Sequence, residues 1–477
     1  MELTNIIKLD KSVQSGHRVV LTTDFTLLTA DHFAKEEVEF LHTIESGEDT
    51  KIFHFNHSGH QLFYVRVGKK GDDFQAKEAF RLAGAKLNLS DFKIDELIIS
   101  DLTAVKGGLY FAEGLILASY KFDKYKSEAK SNPLKSILIE SENITNREIE
   151  LMNISNEAVF LSRNLSNEPQ STINAITLAK EFKKLCADTG ARIEIFNKKK
   201  IESLKMGGLL AVNKGSVLEP TFSVMTWKPE NAVNSKPYIF VGKGVVFDTG
   251  GLNIKTGDFM YDMKHDMAGA AAVATAFWAV AKAKLPVYLI AIVPATDNRP
   301  GGHAYAPGDI IRMHNGKTVE VINTDAEGRM ILADALSYAS LFEPELLIDL
   351  ATLTGAAARA VGKYATAAMQ NEECKDFELL TKSGDEVYER LVEFPMWEEY
   401  GESIKSDFAD IKNLGGAEAG MISAGKFLEH FVSYPWVHLD IAGPSILSAG
   451  YGYRTKGSSG VGTRILFEFM KNITDNK

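Results

Sequence analysis

Pro237-Tyr-Ile-Phe-Val-Gly242, then the alanine-rich run Ala268 to Ala283, then Leu285-Pro-Val-Tyr-Leu-Ile-Ala-Ile-Val293, decide the fold of this chain. The first and third are short, continuous apolar runs, the pattern of strands buried on both faces. The run between them is long enough for about four helical turns, and its small side chains permit close packing. Strand, helix, strand in that order is the signature of a sheet with helices on both sides. The alternation continues with Leu346-Leu-Ile-Asp-Leu350 and Trp436-Val-His-Leu-Asp-Ile441 as strands and Ile331 to Leu341 as a helix. The expected fold class is α/β, with a mixed central sheet flanked by helices in the C-terminal part.

The chain before this region reads as a second, smaller α/β domain. Asp95-Glu-Leu-Ile-Ile-Ser100 and Ser136-Ile-Leu-Ile-Glu140 have strand character, and Phe74 to Ala85 reads as a helix ending near a glycine. His54, His57 and His60 lie at equal spacing but bring no fourth ligand type and no general base. They are read as a solvated loop or strand end rather than a zinc site. The polar stretch Asn143 to Asn153 marks the boundary, and amphipathic periodicity resumes at Ile173 to Ala187. The expectation is an N-terminal domain over 1–150 serving assembly or regulation, a linker over 151–164, and a catalytic domain over 165–477.

Composition narrows the function classes. A chain of 477 residues with 45% hydrophobic and 24% charged residues is an ordinary globular protein of more than one domain. The formal net charge of -10 argues against a general affinity for nucleic acid, which needs clustered Lys and Arg. Cys186 and Cys374 form no CxxC pair, so neither a disulfide framework nor a thiolate zinc site is expected, and a reducing compartment fits. The opening Met1-Glu-Leu-Thr-Asn-Ile-Ile-Lys8 has no apolar core of a signal peptide, and no run approaches the ~20 apolar residues that span a bilayer. A cytoplasmic protein without a membrane partner is expected.

Polar groups gather in three places where the apolar strands end, the usual ligand-binding edge of an α/β sheet. The first is Val241-Gly-Lys-Gly-Val-Val-Phe-Asp-Thr-Gly-Gly-Leu-Asn-Ile-Lys255. Its glycines and lysines suggest a phosphate loop, but neither G-x-x-x-x-G-K-[ST] nor G-x-G-x-x-G is completed. The second is Met260-Tyr-Asp-Met-Lys-His-Asp-Met-Ala-Gly-Ala270, where a lone Asp266 before the alanine-rich helix reads first as a helix cap. The third is Val321-Ile-Asn-Thr-Asp-Ala-Glu-Gly-Arg-Met330. In extended chain Asp325 and Glu327 point to one side, and Gly328 allows a turn that returns Arg329 toward them. Asp248, Asp266, Asp325 and Glu327 make a four-carboxylate set, which needs divalent cations to stay charged in one pocket. Oxygen ligands suit magnesium, manganese or zinc, and the absence of His-E-x-x-His excludes the zincin route. Two-metal hydrolysis is the reading of these residues.

At these clusters the chain resembles the leucyl aminopeptidase family of dinuclear metallo-exopeptidases. The hallmark stands at Asn323-Thr-Asp-Ala-Glu-Gly-Arg329, with Asp297 to Asp309, Leu332-Ala-Asp-Ala-Leu336, Leu350-Ala-Thr-Leu-Thr-Gly355, Ser406 to Gly416 and His438-Leu-Asp-Ile-Ala-Gly443 in family order around it. The resemblance runs from about Leu165 to the C-terminus. It implies that Asp248 and Glu327 are shared by two divalent ions, Mn2+ or Zn2+, that Lys243 and Asp266 complete the tighter site, and that Asp325 completes the looser one. It implies that Lys255 is the catalytic electrophile and that Arg329 holds a bicarbonate ion as general base. Met263, Thr352, Leu353 and Gly355 would line the substrate pocket. A homo-hexamer cutting the first bond of peptides with a free α-amine, with broad preference for Leu-like residues, is the implied protein. Thr249, Thr256, Arg299 and Met330 depart from the commoner family residues, and none is a presumed ligand. Readings from other classes are a two-metal phosphoesterase and an added DNA-binding regulatory role.

Overall fold

A computed structural model describes every residue except 1–2, 10–14, 30–33, 58, 69–70, 72, 88, 90–91, 129–131, 372–373 and 476–477. Two compact units divide the chain: Met1–Glu157 with Ala449–Thr455, and Ala158–Ser448 with Lys456–Lys477.

The first unit carries β1 (Asn5–Lys8), β2 (Arg18–Thr22), β3 (Lys51–His57), β4 (His60–Arg66), β5 (Glu96–Asp101) and β6 (Ser136–Glu140). They form one sheet in the order β1-β6-β5-β2-β4-β3. Only the β3–β4 pair is antiparallel. Parallel strands must be covered on both faces, and Val19, Val20, Leu21, Ile98, Ile99, Ile137 and Ile139 are accordingly buried. Expected strands and the helix Asp73–Lys86 lie where their periodicity places them. His57 and His60 face each other across the β3–β4 hairpin. His57 Nε2 lies 2.6 Å from Glu37 Oε1, while the His54 ring stacks on Phe63 at 4.8 Å. Among the described residues these histidines join no group able to hold a metal. The segment Ala449–Thr455 belongs to this unit although it comes from near the C-terminus. Buried Glu78 needs hydrogen-bond donors, and Tyr453 Oη (2.8 Å) and Arg454 Nη1 (3.2 Å) supply them.

The stretch expected as a linker lies within one helix, Asn146–Asn167, and the border between units falls inside it after Glu157. Its composition is polar, yet Ile149, Ile154, Ala158, Val159 and Phe160 are buried, enough apolar surface to dock a helix.

The second unit contains β7 (Arg192–Phe196), β8 (Thr221–Trp227), β9 (Tyr238–Gly242), β10 (Gly244–Asp248), β11 (Leu289–Asn298), β12 (Ile310–Arg312), β13 (Thr318–Glu320), β14 (Leu346–Ala351), β15 (Thr366–Gln370), β16 (Leu391–Glu393), β17 (Ile411–Lys412) and β18 (Trp436–Asp440). Nine of them make a mixed sheet in the order β16-β15-β18-β14-β9-β11-β8-β7, with β10 alongside β11. The strands β18, β14, β9 and β11 run parallel at its centre. Every residue of β11 is buried, which explains its apolar run from Leu289 to Ala295. A small sheet, β12-β13-β17, leads into the loop that carries Asp325.

The alanine-rich segment is the helix Ala268–Lys282, with fourteen of its fifteen residues buried. It lies unusually close to the sheet. A Cβ on Gly242 would sit 2.6 Å from Ala270 Cα, and one on Gly269 would sit 2.2 Å from the Leu350 carbonyl oxygen. Lys243 follows directly, so this contact sets the height of a site residue above the sheet. Among the described residues, no helix is long and apolar enough to cross a membrane. Gly242→Ala should force helix and strand apart and cost ~1–3 kcal/mol, the range for overpacking. Urea denaturation checks it: the midpoint should fall with little change in slope, and an unmoved midpoint would contradict the close contact.

Candidate metal centre

Lys243 is the single residue between β9 and β10. Its N–H donates to the Leu350 carbonyl at 3.0 Å, and its own carbonyl accepts from the Ala270 N–H at 3.0 Å. The chain therefore runs on from β9 into β10 without a turn, and the first part of the stretch that suggests a phosphate loop, to Asp248, is strand. The Lys243 side chain is buried and passes over Gly328, where a Cβ would lie 2.5 Å from Lys243 Cε. Gly328 sits in the first turn of the helix Glu327–Ala339 and has no positive φ, so it supplies room for the lysine rather than the expected chain reversal. The true reversal is at Gly250 (φ 84°) and Gly251 (φ 67°). It brings the Lys255 N–H to the Thr249 carbonyl at 2.9 Å and returns the Lys255 side chain to the end of β10.

The four acids meet two ammonium groups. Lys243 Nζ lies 2.8 Å from Asp266 Oδ1 and 3.0 Å from Glu327 Oε1. Lys255 Nζ lies 2.8 Å from Asp248 Oδ2 and 2.6 Å from Asp325 Oδ1. Lys243 thus does not pair with Asp248; that carboxylate belongs to Lys255. Burial alone would lower both ammonium pKa values, but Asp266, Glu327 and Asp248 around Lys243, and Asp248, Glu327 and Asp325 around Lys255, outweigh it and raise them above the usual lysine range. Burial also raises Asp266 and Glu327, and it pushes Asp325 up to about 7 with help from Asp248 and Glu327. Two lysines cannot neutralise four carboxylates, three of them buried (Asp248, Asp266 and Glu327).

The donor set fits divalent cations. Asp248, Asp325 and Glu327 each offer an oxygen, all within 4.8 Å of one another. Asp266 Oδ2 and Glu327 Oε2 are buried and hydrogen-bond to nothing, an arrangement that costs free energy unless a cation meets them. Asp266 is not a helix cap: Met267 holds that position without a side-chain bond, and Asp266 Oδ1 instead accepts from Thr352 Oγ1 at 2.7 Å. Lys243 Nζ reaches the Thr352 carbonyl at 3.0 Å, which ties the substrate-pocket candidates Thr352 and Leu353 to the same centre. Leu353 N–H donates to Asp440 Oδ1 (3.2 Å), and Gly355 opens the helix Gly355–Val361. Met263 begins the short turn Met263–His265 just before Asp266.

Arg329 stands apart from the ion pairs. It is buried, its Nε and Nη1 have no partner, and its guanidinium lies 5.9 Å from the Phe427 ring centroid. Burial lowers its pKa to about 10. A buried guanidinium with two free donors suits a small planar anion.

The loop carrying Asp325 is fixed by residues to which no site role was assigned from the sequence. Asn413 accepts from the Ile322 N–H (2.7 Å) and donates to the Asn323 carbonyl (2.8 Å). Thr324 Oγ1 donates to the Gly250 carbonyl (2.6 Å) and accepts from the Asn253 N–H (2.9 Å), joining this loop to the turn after β10. Asn298 closes β11 and donates to Asp248 Oδ1 at 2.8 Å. The signals for Asn298 were its place at the polar end, Thr296 to Asn298, of an otherwise apolar strand and within the segment Asp297 to Asp309 of the family resemblance.

Residues 160–467 match the family described as cytosol aminopeptidase family, catalytic domain, a span that includes the seven charged residues of the centre. A probable cytosol aminopeptidase of Chloroherpeton thalassium is 49% identical over 315 residues, covering 65% of this chain and 61% of that protein. One from Aquifex aeolicus is 39% identical over 450 residues, covering 91% of this chain and 89% of its own. The solved structure of the bottromycin maturation enzyme BotP in complex with Mn is similar at a TM-score of 0.85, with 27% identity over 96% of this chain and 100% of that one. This chain belongs to the cytosol aminopeptidase family and is a hydrolase acting on peptide bonds.

Proposed function

We propose that this protein is a metal-dependent aminopeptidase that removes the first residue of peptides with a free α-amine, with broad preference for Leu-like residues. The observation that carries the reading is the convergence of Asp248, Asp325 and Glu327, with buried, unpartnered oxygens on Glu327 and Asp266. Asp248 and Glu327 would be shared by two divalent ions, Mn2+ or Zn2+; Lys243 and Asp266 would complete one site and Asp325 the other. When bound, such ions lower the pKa of water and polarise a carbonyl oxygen.

The chain's own groups do the rest. A lysine ligand must be neutral, so loading the site at Lys243 releases a proton. Lys255, anchored by its backbone to Thr249, donates to the scissile carbonyl as negative charge develops, where a preplaced donor contributes most. Arg329, with Nε and Nη1 free, would hold bicarbonate as the general base. Thr352, Leu353, Gly355 and Met263 would border the side-chain pocket. A homo-hexamer, a cytoplasmic location and an assembly or regulatory role for the first unit complete the reading.

Leucine p-nitroanilide, with its N-acetylated form as control, tests it. Chelated protein should be inactive, and Mn2+ or Zn2+ should restore cleavage of the free-amine substrate only. Folded protein that stays inactive with every ion would overturn the proposal. Lys255→Ala should lower kcat by about 10²–10³-fold while leaving two metals bound. Loss of metal in that variant, measured by elemental analysis, would place Lys255 in the ligand shell instead.

A further inference from the structure

We propose that Asn298 is a positioning residue that sets the spacing between the two halves of the metal-binding cluster, an inference that rests on the metal-dependent reading above. One half is Asp248, on β10; the other is the loop and helix start carrying Asp325 and Glu327. Asn298 is the last residue of β11 and is fully buried. The parallel β10–β11 register sets it beside Asp248.

Its amide nitrogen has two protons and two acceptors, one in each half. Nδ2 donates to Asp248 Oδ1 at 2.8 Å and to the Thr324 carbonyl at 3.0 Å, one residue before Asp325. Asp248 Oδ1 takes a second bond from the Gly250 N–H at 2.9 Å, which leaves Oδ2 to face Lys255 and the centre. The Thr324 carbonyl takes its second bond from Tyr305 Oη at 2.7 Å. The Asn298 backbone is itself held, because its main-chain carbonyl accepts from the Thr249 N–H (3.0 Å) and Oγ1 (2.8 Å). No other residue among those described is shown bonding to both Asp248 and the Thr324 backbone.

The chemistry of the side chain suits the place. Aspartate could donate to neither acceptor and would set a further carboxylate against Asp248. A lysine could donate but would compete with a dication for the same oxygen. A neutral amide supports ionised Asp248 and adds no charge. The amide lies close to the turn after β10, since a Cβ on Gly251 would lie 2.9 Å from Asn298 Oδ1. Groups that orient metal ligands typically contribute 10–100-fold to metal affinity.

The test is a calorimetric titration of chelated, full-length protein with Mn2+. Asn298→Leu keeps the branching and the number of side-chain heavy atoms and removes both bonds, and it should weaken Mn2+ binding about 10–100-fold. Asn298→Ser, which retains one donor, should fall between it and the parent. Asn213→Leu is the control, because buried Asn213 bonds the Leu218 carbonyl and Thr296 Oγ1 away from the carboxylates. It should lower the melting temperature yet keep the parent's affinity within about twofold. Parent-like affinity in Asn298→Leu, or equal weakening in the control, would overturn the assignment. If the leucine variant does not fold, parent-like affinity in the serine variant overturns it. A parent that binds no Mn2+ and cleaves no leucine p-nitroanilide would sink the metal-dependent reading as well, whereas an active parent with an indifferent Asn298→Leu sinks this inference alone.

Discussion

Mutual repulsion among buried carboxylates is the constraint on which this structure depends. Two ionised acids at the 4.8 Å limit of the Asp248, Asp325 and Glu327 group repel by about 3–4 kcal/mol at an effective dielectric near 20. Lys243 and Lys255 each span two acids and offset much of this. Burial still raises Asp266, Glu327 and Asp325, so the two lysines do not offset the whole cost of gathering these charges. On the proposed function, dications would remove the shortfall, with Lys243 becoming a neutral ligand and Lys255 a donor to substrate.

The fold serves that constraint through rigidity. Repelling groups stay together only if their backbones cannot separate. Lys243, between β9 and β10, is pinned by one backbone bond to Leu350 of β14 and one to Ala270 of the helix Ala268–Lys282. Asp248 is the end of a strand, and Glu327 begins a helix whose next twelve residues are largely buried. Asp325 lies on a loop, and there Asn298, Asn413, Tyr305 and Thr324 provide the bonds that secondary structure does not. Close packing at Gly242 and Gly269 extends this rigidity into the sheet.

Much of this was legible in the sequence because burial on both faces writes itself as unbroken apolar runs, as in β9, β11 and β14. The acids were legible because charges between apolar segments need an explanation. Their geometry was less so: Asp325 and Glu327 were expected to share a side of an extended chain, whereas one lies on a loop and the other on a helix, and both still reach the centre. Asp266 carried the pattern of a cap, and only the tertiary position of Lys243 and Thr352 draws it inward. The role of Gly328 depends on a lysine eighty-five residues earlier in the chain, a distance no local pattern spans. The same holds for Tyr453 and Arg454, whose partner Glu78 lies on a helix near the other end of the chain.

The most direct test of the central claim is a crystal structure of the Mn2+-loaded protein with anomalous diffraction data. The account predicts two anomalous peaks per chain, both in contact with Asp248 and Glu327, one of them also touching Asp266 and Lys243 and the other Asp325. A single peak, or peaks away from these carboxylates while Lys243 and Lys255 keep their ion pairs, would contradict it.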